Sequence, residues 1–409
     1  MRALPALAIV ASCAWSCAHS GRGASGQPCD VLRVNGAAAL MTFAADPGGG
    51  VALAGESGAR LRAGTLAIDA AGGFILRANG DAGVAWIRPT GPARPLALTI
   101  APDGHTVVVG QAQRHCIAAR LDGQGREVWA STLAGEGDSA CRAVAFDDRT
   151  GDIWAAGEFT GALGPARAVG LADAFVVRIS GATGEMRLVR AFGGKGAEHA
   201  TALALTPAGD VIVAGTFGRD VDASLSEVNF GQGPVRAADG TDGFLLALQP
   251  DGGTRWVSVV GEHGDDEVVG VEARDSAVYA AANLHRARDG ARCGGQPAVL
   301  RNHDWVRIED DECVAVRALT FDDAGRLWVL ENAGRTLRAR AFASADGAPL
   351  GTRTWAAERA SVRGIGIARV PGGFAVAAMT DGELTACGKP VGNAGERTPF
   401  VVWVRDVTP

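Results

Sequence analysis

Acids gather in three loop stretches of this chain, and arginines recur at a fixed step between them. Glu136 and Asp138 form the first group, Asp265, Asp266 and Glu267 the second, and Glu309, Asp310, Asp311 and Glu312 the third. Carboxylates at this density could hold a cation or receive a basic partner. The plainer reading is a solvated polar rim, since no stretch has the Asp-x-Asp-x-Asp-Gly spacing of a calcium loop. Arg142, Arg317 and Arg363 stand four residues before Phe146, Phe321 and Ile367. Guanidinium groups at one shared step could make a shallow anion site, whereas pairing with the nearby acids would leave them structural. Other chemistry is poorly represented. The seven histidines are scattered, Gly-x-Ser-x-Gly is absent, and Gly193-Gly-Lys-Gly196 lacks the spacing of a phosphate loop. No Cys-x-x-Cys occurs, so neither a metal nor a cofactor is expected.

These residues are carried by a repeat. Ala202-Leu-Ala-Leu-Thr206, Asp210-Val-Ile-Val-Ala-Gly-Thr-Phe217, Asp242-Gly-Phe-Leu-Leu-Ala-Leu248 and Thr254-Arg-Trp-Val-Ser-Val-Val260 read as four short strands joined by turns. Gly215 in the second of them has counterparts at Gly55, Gly110, Gly157, Ala282, Glu331 and Ala378, at intervals of 55, 47, 58, 67, 49 and 47 residues. Four strands in a unit of about fifty residues mark a propeller blade. The expected fold is therefore all-β: a seven-bladed β-propeller of four-stranded blades. Only six fourth strands follow a third strand, because the chain ends soon after Phe400-Val-Val-Trp-Val404. The spare segment Val31-Leu-Arg-Val34 is expected to pair beside Val401 and close the ring, which removes two exposed sheet edges.

Gly209-Asp-Val-Ile-Val-Ala-Gly-Thr-Phe217, Asp173-Ala-Phe-Val-Val-Arg-Ile179 and Trp256-Val-Ser-Val-Val-Gly-Glu-His-Gly-Asp-Asp266 are similar to the bacterial seven-bladed β-propeller repeat (SBBP-type). The match covers about residues 126–285 and falls to bare strand patterning on either side. The resemblance implies a secreted or surface propeller and carries no catalytic residue.

The chain has 409 residues, 58 glycines and a formal charge of −6. Acidic balance and the lack of a basic stripe with interleaved aromatics argue against nucleic acid. Met1-Arg2, an apolar run from Ala3 to Ala11, and Val10-Ala-Ser-Cys13 look like an export signal ending in a lipobox, with Cys13 as the lipidated residue. Ordinary cleavage near Ala18-His-Ser20 is the competing reading, and Cys17 a second lipidation candidate. The expected layout is a signal over 1–12, a lipidated start and tether over 13–29, and the propeller over 30–405. Export implies an oxidising compartment, where cysteines pair. Cys116 with Cys141, and Cys293 with Cys313, would each lock one blade to the next. Cys29 and Cys387 would staple the closing blade, although Cys29 should start a fourth strand on the opposite face from the loop holding Cys387.

The function expected from these features is a cell-envelope-anchored module, on an outer-membrane lipid anchor facing periplasm or cell surface. It would act as one copy and bind a protein or glycan. Its candidate ligand surface comprises Arg142, Arg317, Arg363, Asp265, Asp266, Asp310 and Asp311. The alternative is a propeller enzyme (lyase, glycosidase, or quinone- or metal-dependent oxidoreductase) with its site at the channel mouth. Inner strands rich in Ala, Gly, Leu, Val and Thr, with Glu272 the main exception, favour binding.

Overall fold

The computed structural model describes residues 29–405 except 134, 219–226, 239, 262–263, 285–295, 303, 308–313, 358–359 and 394. Cys13, Cys17, Cys293, Cys313, Asp310 and Asp311 lie outside the described residues. Among those described there is no helix, and none long and apolar enough to cross a membrane. Six antiparallel sheets have four strands each and a seventh has six. The innermost strands are Ala38–Ala45, Arg94–Ile100, Ser139–Asp147, His199–Leu205, Glu267–Arg274, Val314–Phe321 and Val362–Val370. Each packs against the next and the last against the first, so the sheets form a closed ring. In the seventh blade the order runs Val362–Val370, Gly373–Thr380, Thr398–Arg405 and then Cys29–Asn35. Val31 lies opposite Val402 and Leu32 opposite Val401, so the leading strand does close the propeller.

Apolar faces of adjacent blades meet to form the core. Trp328 of the sixth blade stacks on Phe374 of the seventh with ring centroids 4.5 Å apart, and both are buried. Outer-strand tryptophans serve the same seams. Trp86 lies against the turn glycine Gly125 of the second blade and donates its indole N–H to Gly123 O at 3.1 Å. Trp129 does likewise with Gly184 and Gly181 O of the third blade, at 2.9 Å. An indole meets an apolar surface and a carbonyl at once there, which anchors the first blade to the second and the second to the third.

Every innermost strand carries a β-bulge at one step: Met41, Leu96, Arg142, Thr201, Val269, Arg317 and Ile365 are the extra residues. The second-strand residues facing the bulges are Gly55, Gly110, Gly157, Gly215, Ala282, Glu331 and Ala378, the same positions that set the sequence period. The bulge turns an inner-strand carbonyl onto the Cα of its partner. A side chain at Gly55, Gly110, Gly157 or Gly215 would strike the carbonyl oxygen of Ala39, Arg94, Ala140 or His199. In these four blades the close carbonyl leaves room only for glycine, whereas blades five to seven carry the same bulge opposite Ala282, Glu331 and Ala378.

Two expected disulfides are present. Cys116 and Cys141 have Cα atoms 5.2 Å apart, and Cys29 and Cys387 have theirs 5.7 Å apart. Cys116 and Cys141 sit in strands, since the turn before Cys116 is short, with Gln113 and Arg114 at positive φ. The supposed mismatch of faces at Cys29 is corrected. The segment between second and third strands folds back as a small hairpin along the blade's side. In the first blade a methyl group on its tip, Gly64, would meet Val84 at the start of the fourth strand; in the third, one on Gly164 would meet Met186. Cys387 is that tip in the seventh blade, with φ 55° against 56° for both glycines, and its fourth strand starts at Cys29.

Candidate functional site at the channel mouth

The bulges place one ring of side chains at the end of the channel where the innermost strands begin. Next to them, the second strands present Glu56, Gln111, Glu158, Thr216, Asn283, Asn332 and Met379. Several of these reach into the following blade. Val316 N–H donates to Asn283 Oδ1 and Gly364 N–H to Asn332 Oδ1, both at 2.8 Å, while Leu40 N–H meets Met379 Sδ at 3.2 Å. The donor in each case is the residue just before a bulge. In the second blade that residue is Pro95, which has no N–H, and Glu56 instead takes the Arg94 Nε–H at 3.1 Å. These bonds stitch the ring; sequence reasoning missed them because the paired residues lie 30 or more positions apart.

Arg142, Arg317 and Arg363 do not hold equivalent positions, contrary to the expectation. Arg142 and Arg317 are bulge residues, whereas Arg363 lies two residues before the Ile365 bulge and matches Ala140 and Ala315. Ile367 is the register equivalent of Val144 and Leu319, and Arg369 that of Phe146 and Phe321, so counting back four residues from Ile367 lands two positions too early in the seventh blade. Their surroundings differ too. Arg142 donates Nε to Glu158 at 2.6 and 2.8 Å, and His199 Nδ1 of the fourth blade is 3.8 Å from the same carboxylate. Burial would raise the Glu158 carboxyl, but the hydrogen bonds from His199 and Arg142 outweigh it and hold it below its ordinary value. Arg142 is therefore a structural partner.

Arg317 and Arg363 are different. Neither makes an ion pair among the described residues, and the half-buried Arg317 keeps a buried Nε without a hydrogen-bond partner. Burial lowers the Arg317 guanidinium, the charge of neighbouring Arg363 lowers it further, and Glu267 opposes both. Two cations within electrostatic reach of each other, in the sixth and seventh blades, form an electropositive sector. Glu267 itself is held by Asn283 Nδ2 at 2.8 Å.

The acids separate in a similar way. Asp265 is exposed and accepts the Thr241 N–H at 3.1 Å. Asp266, expected on a solvated rim, is 2% exposed and faces Asp242, itself fully buried; a methyl group on Gly261 would lie 2.5 Å from an oxygen of each. One blade earlier Asp173 and Glu198 repeat this arrangement beside Gly193, and both are buried. Glu198 Oε2 accepts Gly194 N–H at 2.9 Å. Burial, opposed by that N–H and reinforced by the Asp173 charge, pushes the Glu198 carboxyl up to about 7. Among the described residues no three acids, histidines or cysteines are grouped to hold a metal ion.

Glu272 stands five residues beyond Glu267, about 16 Å along the strand at roughly 3.3 Å per residue. Its register equivalents are Ala44, Thr99, Ala145, Ala204, Thr320 and Ala368. Burial pushes its carboxyl up to about 7 against hydrogen bonds from Thr320 and the Phe321 N–H.

Comparison with solved structures places the fold. The chain is similar to a catalytically inactive virginiamycin B lyase from Staphylococcus aureus in complex with quinupristin, at 13% identity and TM-score 0.51, over 92% of this chain and 100% of that one. It is similar to the RRP9 WD40 repeats at 11% identity and TM-score 0.54, over 92% and 98%. The β-propeller domain of the Trilobed protease from Pyrococcus furiosus matches at 11% identity and TM-score 0.50, over 85% and 95%. Such likenesses show the propeller fold alone, shared by enzymes and WD40 proteins. No family profile and no curated protein sequence matches the chain.

Proposed function

We propose that this propeller is an exported, lipid-anchored binding module that takes a carboxylate-bearing ligand on the face where its innermost strands begin. The observation that carries this reading is the Arg317–Arg363 pair, two guanidinium groups within electrostatic reach of each other and with no ion pair among the described residues, one with an unpartnered buried Nε. An anion between them would supply the missing acceptor and offset the like-charge repulsion. Binding is favoured over turnover because the polar groups do not converge: Arg142, Glu158 and His199 stand at one end of the channel and Glu272 towards the other. The two disulfides fit an oxidising compartment.

Titration calorimetry with citrate and with uncharged glycerol tests the site. Citrate is expected to bind in low salt, and the Arg317→Gln/Arg363→Gln variant to lose about tenfold or more in affinity, the effect of removing one or two charge-assisted hydrogen bonds. Citrate binding that survives the double substitution, or no citrate binding at all, would overturn the reading. The anchor is tested separately by palmitate labelling in bacteria: the full chain should incorporate label and Cys13→Ser should not, and label retained by Cys13→Ser would remove that residue as the attachment point.

A further inference from the structure

A cleft of about 900 Å³ opens at the seam between the seventh and first blades, on the same face as the arginine pair. Its inner end is bounded by Ala39, the register equivalent of Arg363 one blade on, so it continues outward from the channel mouth. Its walls come from both ends of the ring: Asn35 ends the closing strand, Arg62 belongs to the first blade's side hairpin, and Asn393 and Arg397 lie before the seventh blade's third strand. The hairpin pairs directly with the closing strand, with Asn35 opposite Arg62.

Charge in the cleft is lopsided. Arg60, Arg62 and Arg397 line it, and Arg62 and Arg397 make no ion pair among the described residues; Arg60 is loosely held by exposed Asp69. Of the two lining acids, Glu56 is committed to Arg94, and Glu396 accepts Asn393 Nδ2 at 3.0 Å. On the far side of Asn393 and Gly395 lies a second cavity of about 810 Å³ whose charged lining is Asp381 and Glu383. An acidic chain is attracted on one side of this segment and repelled on the other, which fixes its path. No aromatic side chain lines the cleft, so a sugar would find no ring to stack on. The side-chain amides of Asn35 and Asn393, and the exposed backbone at Gly58 and Gly395, suit a peptide's N–H and C=O groups.

From this we infer that the cleft between the seventh and first blades binds an acidic peptide segment of a partner protein, extending the carboxylate site at Arg317 and Arg363. The inference rests on that site for its inner end only. The test is fluorescence anisotropy of the full chain with a labelled twelve-residue peptide of alternating Asp and Gly, its Asn-for-Asp counterpart, and an oligogalacturonate of equal charge. The acidic peptide should bind, weaken steeply with salt, and exceed both controls. Arg60→Ser/Arg62→Ser/Arg397→Ser should weaken it about tenfold, as expected for three partly exposed charge contacts. The same variant should leave citrate binding at Arg317 and Arg363 unchanged, and that separates failure of the cleft from failure of the mouth site. Arg62→Lys, which keeps the charge, should restore part of the affinity of Arg62→Ser. Equal binding of the Asn peptide, tighter binding of the oligogalacturonate, or a triple variant within twofold of wild type would each overturn the inference.

Discussion

At the scale of single residues, the molecule spends stability on buried carboxyls. Glu198 and Glu272 move from an ordinary 4.5 to about 7, mainly through burial. A carboxyl raised on folding binds its proton more tightly in the native state, so the native state holds more protons than the unfolded chain between pH 4.5 and 7. Stability must therefore fall as pH rises through that window and level off above it. Fully buried Glu198 alone corresponds to at most about 3.5 kcal/mol, at roughly 1.4 kcal/mol per pH unit. We expect the melting temperature to be higher at pH 5 than at pH 8. Glu198→Gln, which keeps an acceptor for Gly194 N–H, should raise the pH 8 value and flatten the slope. A wild-type melting temperature independent of pH from 5 to 8 would contradict the assignment. Acids whose values are lowered, Glu158, Asp323 and Asp381, act only below about pH 4.5 and do not mask it. None of this was legible from sequence, because Asp173 and Glu198 lie in different blades and only packing makes them neighbours. What sequence did show was the acid at Asp266, without the burial that changes its meaning.

The unit of the fold is the pair formed by a bulge and the residue facing it. Gly55, Gly110, Gly157 and Gly215 were visible as a period, since alternating apolar runs ending in glycine recur every fifty residues or so. The cause of the period was not visible, because a bulge leaves no mark in a one-dimensional pattern when the inner strand is mostly Ala, Leu and Val. Arg363 is misplaced for a different reason: the seventh inner strand has Arg369 where Phe146 and Phe321 stand, so in the sequence pattern the apolar Ile367 passes for their counterpart. The side hairpins were equally hidden: Ala162–Leu163 and Ala166–Arg167 are strands of two residues, too short to show alternation. The anchors make a sharp comparison. Gly157→Ala drives a methyl group into Ala140 O and should cost about 1–3 kcal/mol, the usual range for overpacking. Ala282→Gly removes a side chain the fifth blade already accommodates and should cost about 1 kcal/mol or less. Urea unfolding midpoints of the two variants test this, and equal losses would show that the bulge carbonyl does not constrain the anchor.

Across the whole molecule, the question is what keeps a ring closed when its last sheet is made from both ends of the chain. Cys29–Asn35 pairs along Thr398–Arg405, Trp403 donates its indole N–H to Gly49 O of the first blade at 2.9 Å, and Cys387 ties the side hairpin to Cys29. The two disulfides differ greatly in what they restrict. Cys116 and Cys141 are 25 residues apart, while Cys29 and Cys387 are 358 apart. In the chain-entropy view a cross-link acts by shrinking the unfolded ensemble, giving about 3.5 kcal/mol for the short loop and about 6 kcal/mol for the long one at 25 °C. The long bond also resists opening of the last blade, the point where a ring built this way parts first, since only the outer strand must detach. Cys29→Ser/Cys387→Ser should therefore lower the melting temperature more than Cys116→Ser/Cys141→Ser. It should also expose the amides of Val31 to Val34 to rapid hydrogen exchange while the third blade stays protected. If the short-loop variant loses more stability, or if exchange in residues 31–34 is unchanged without the long bond, closure rests on strand pairing and Trp403 rather than on the disulfide.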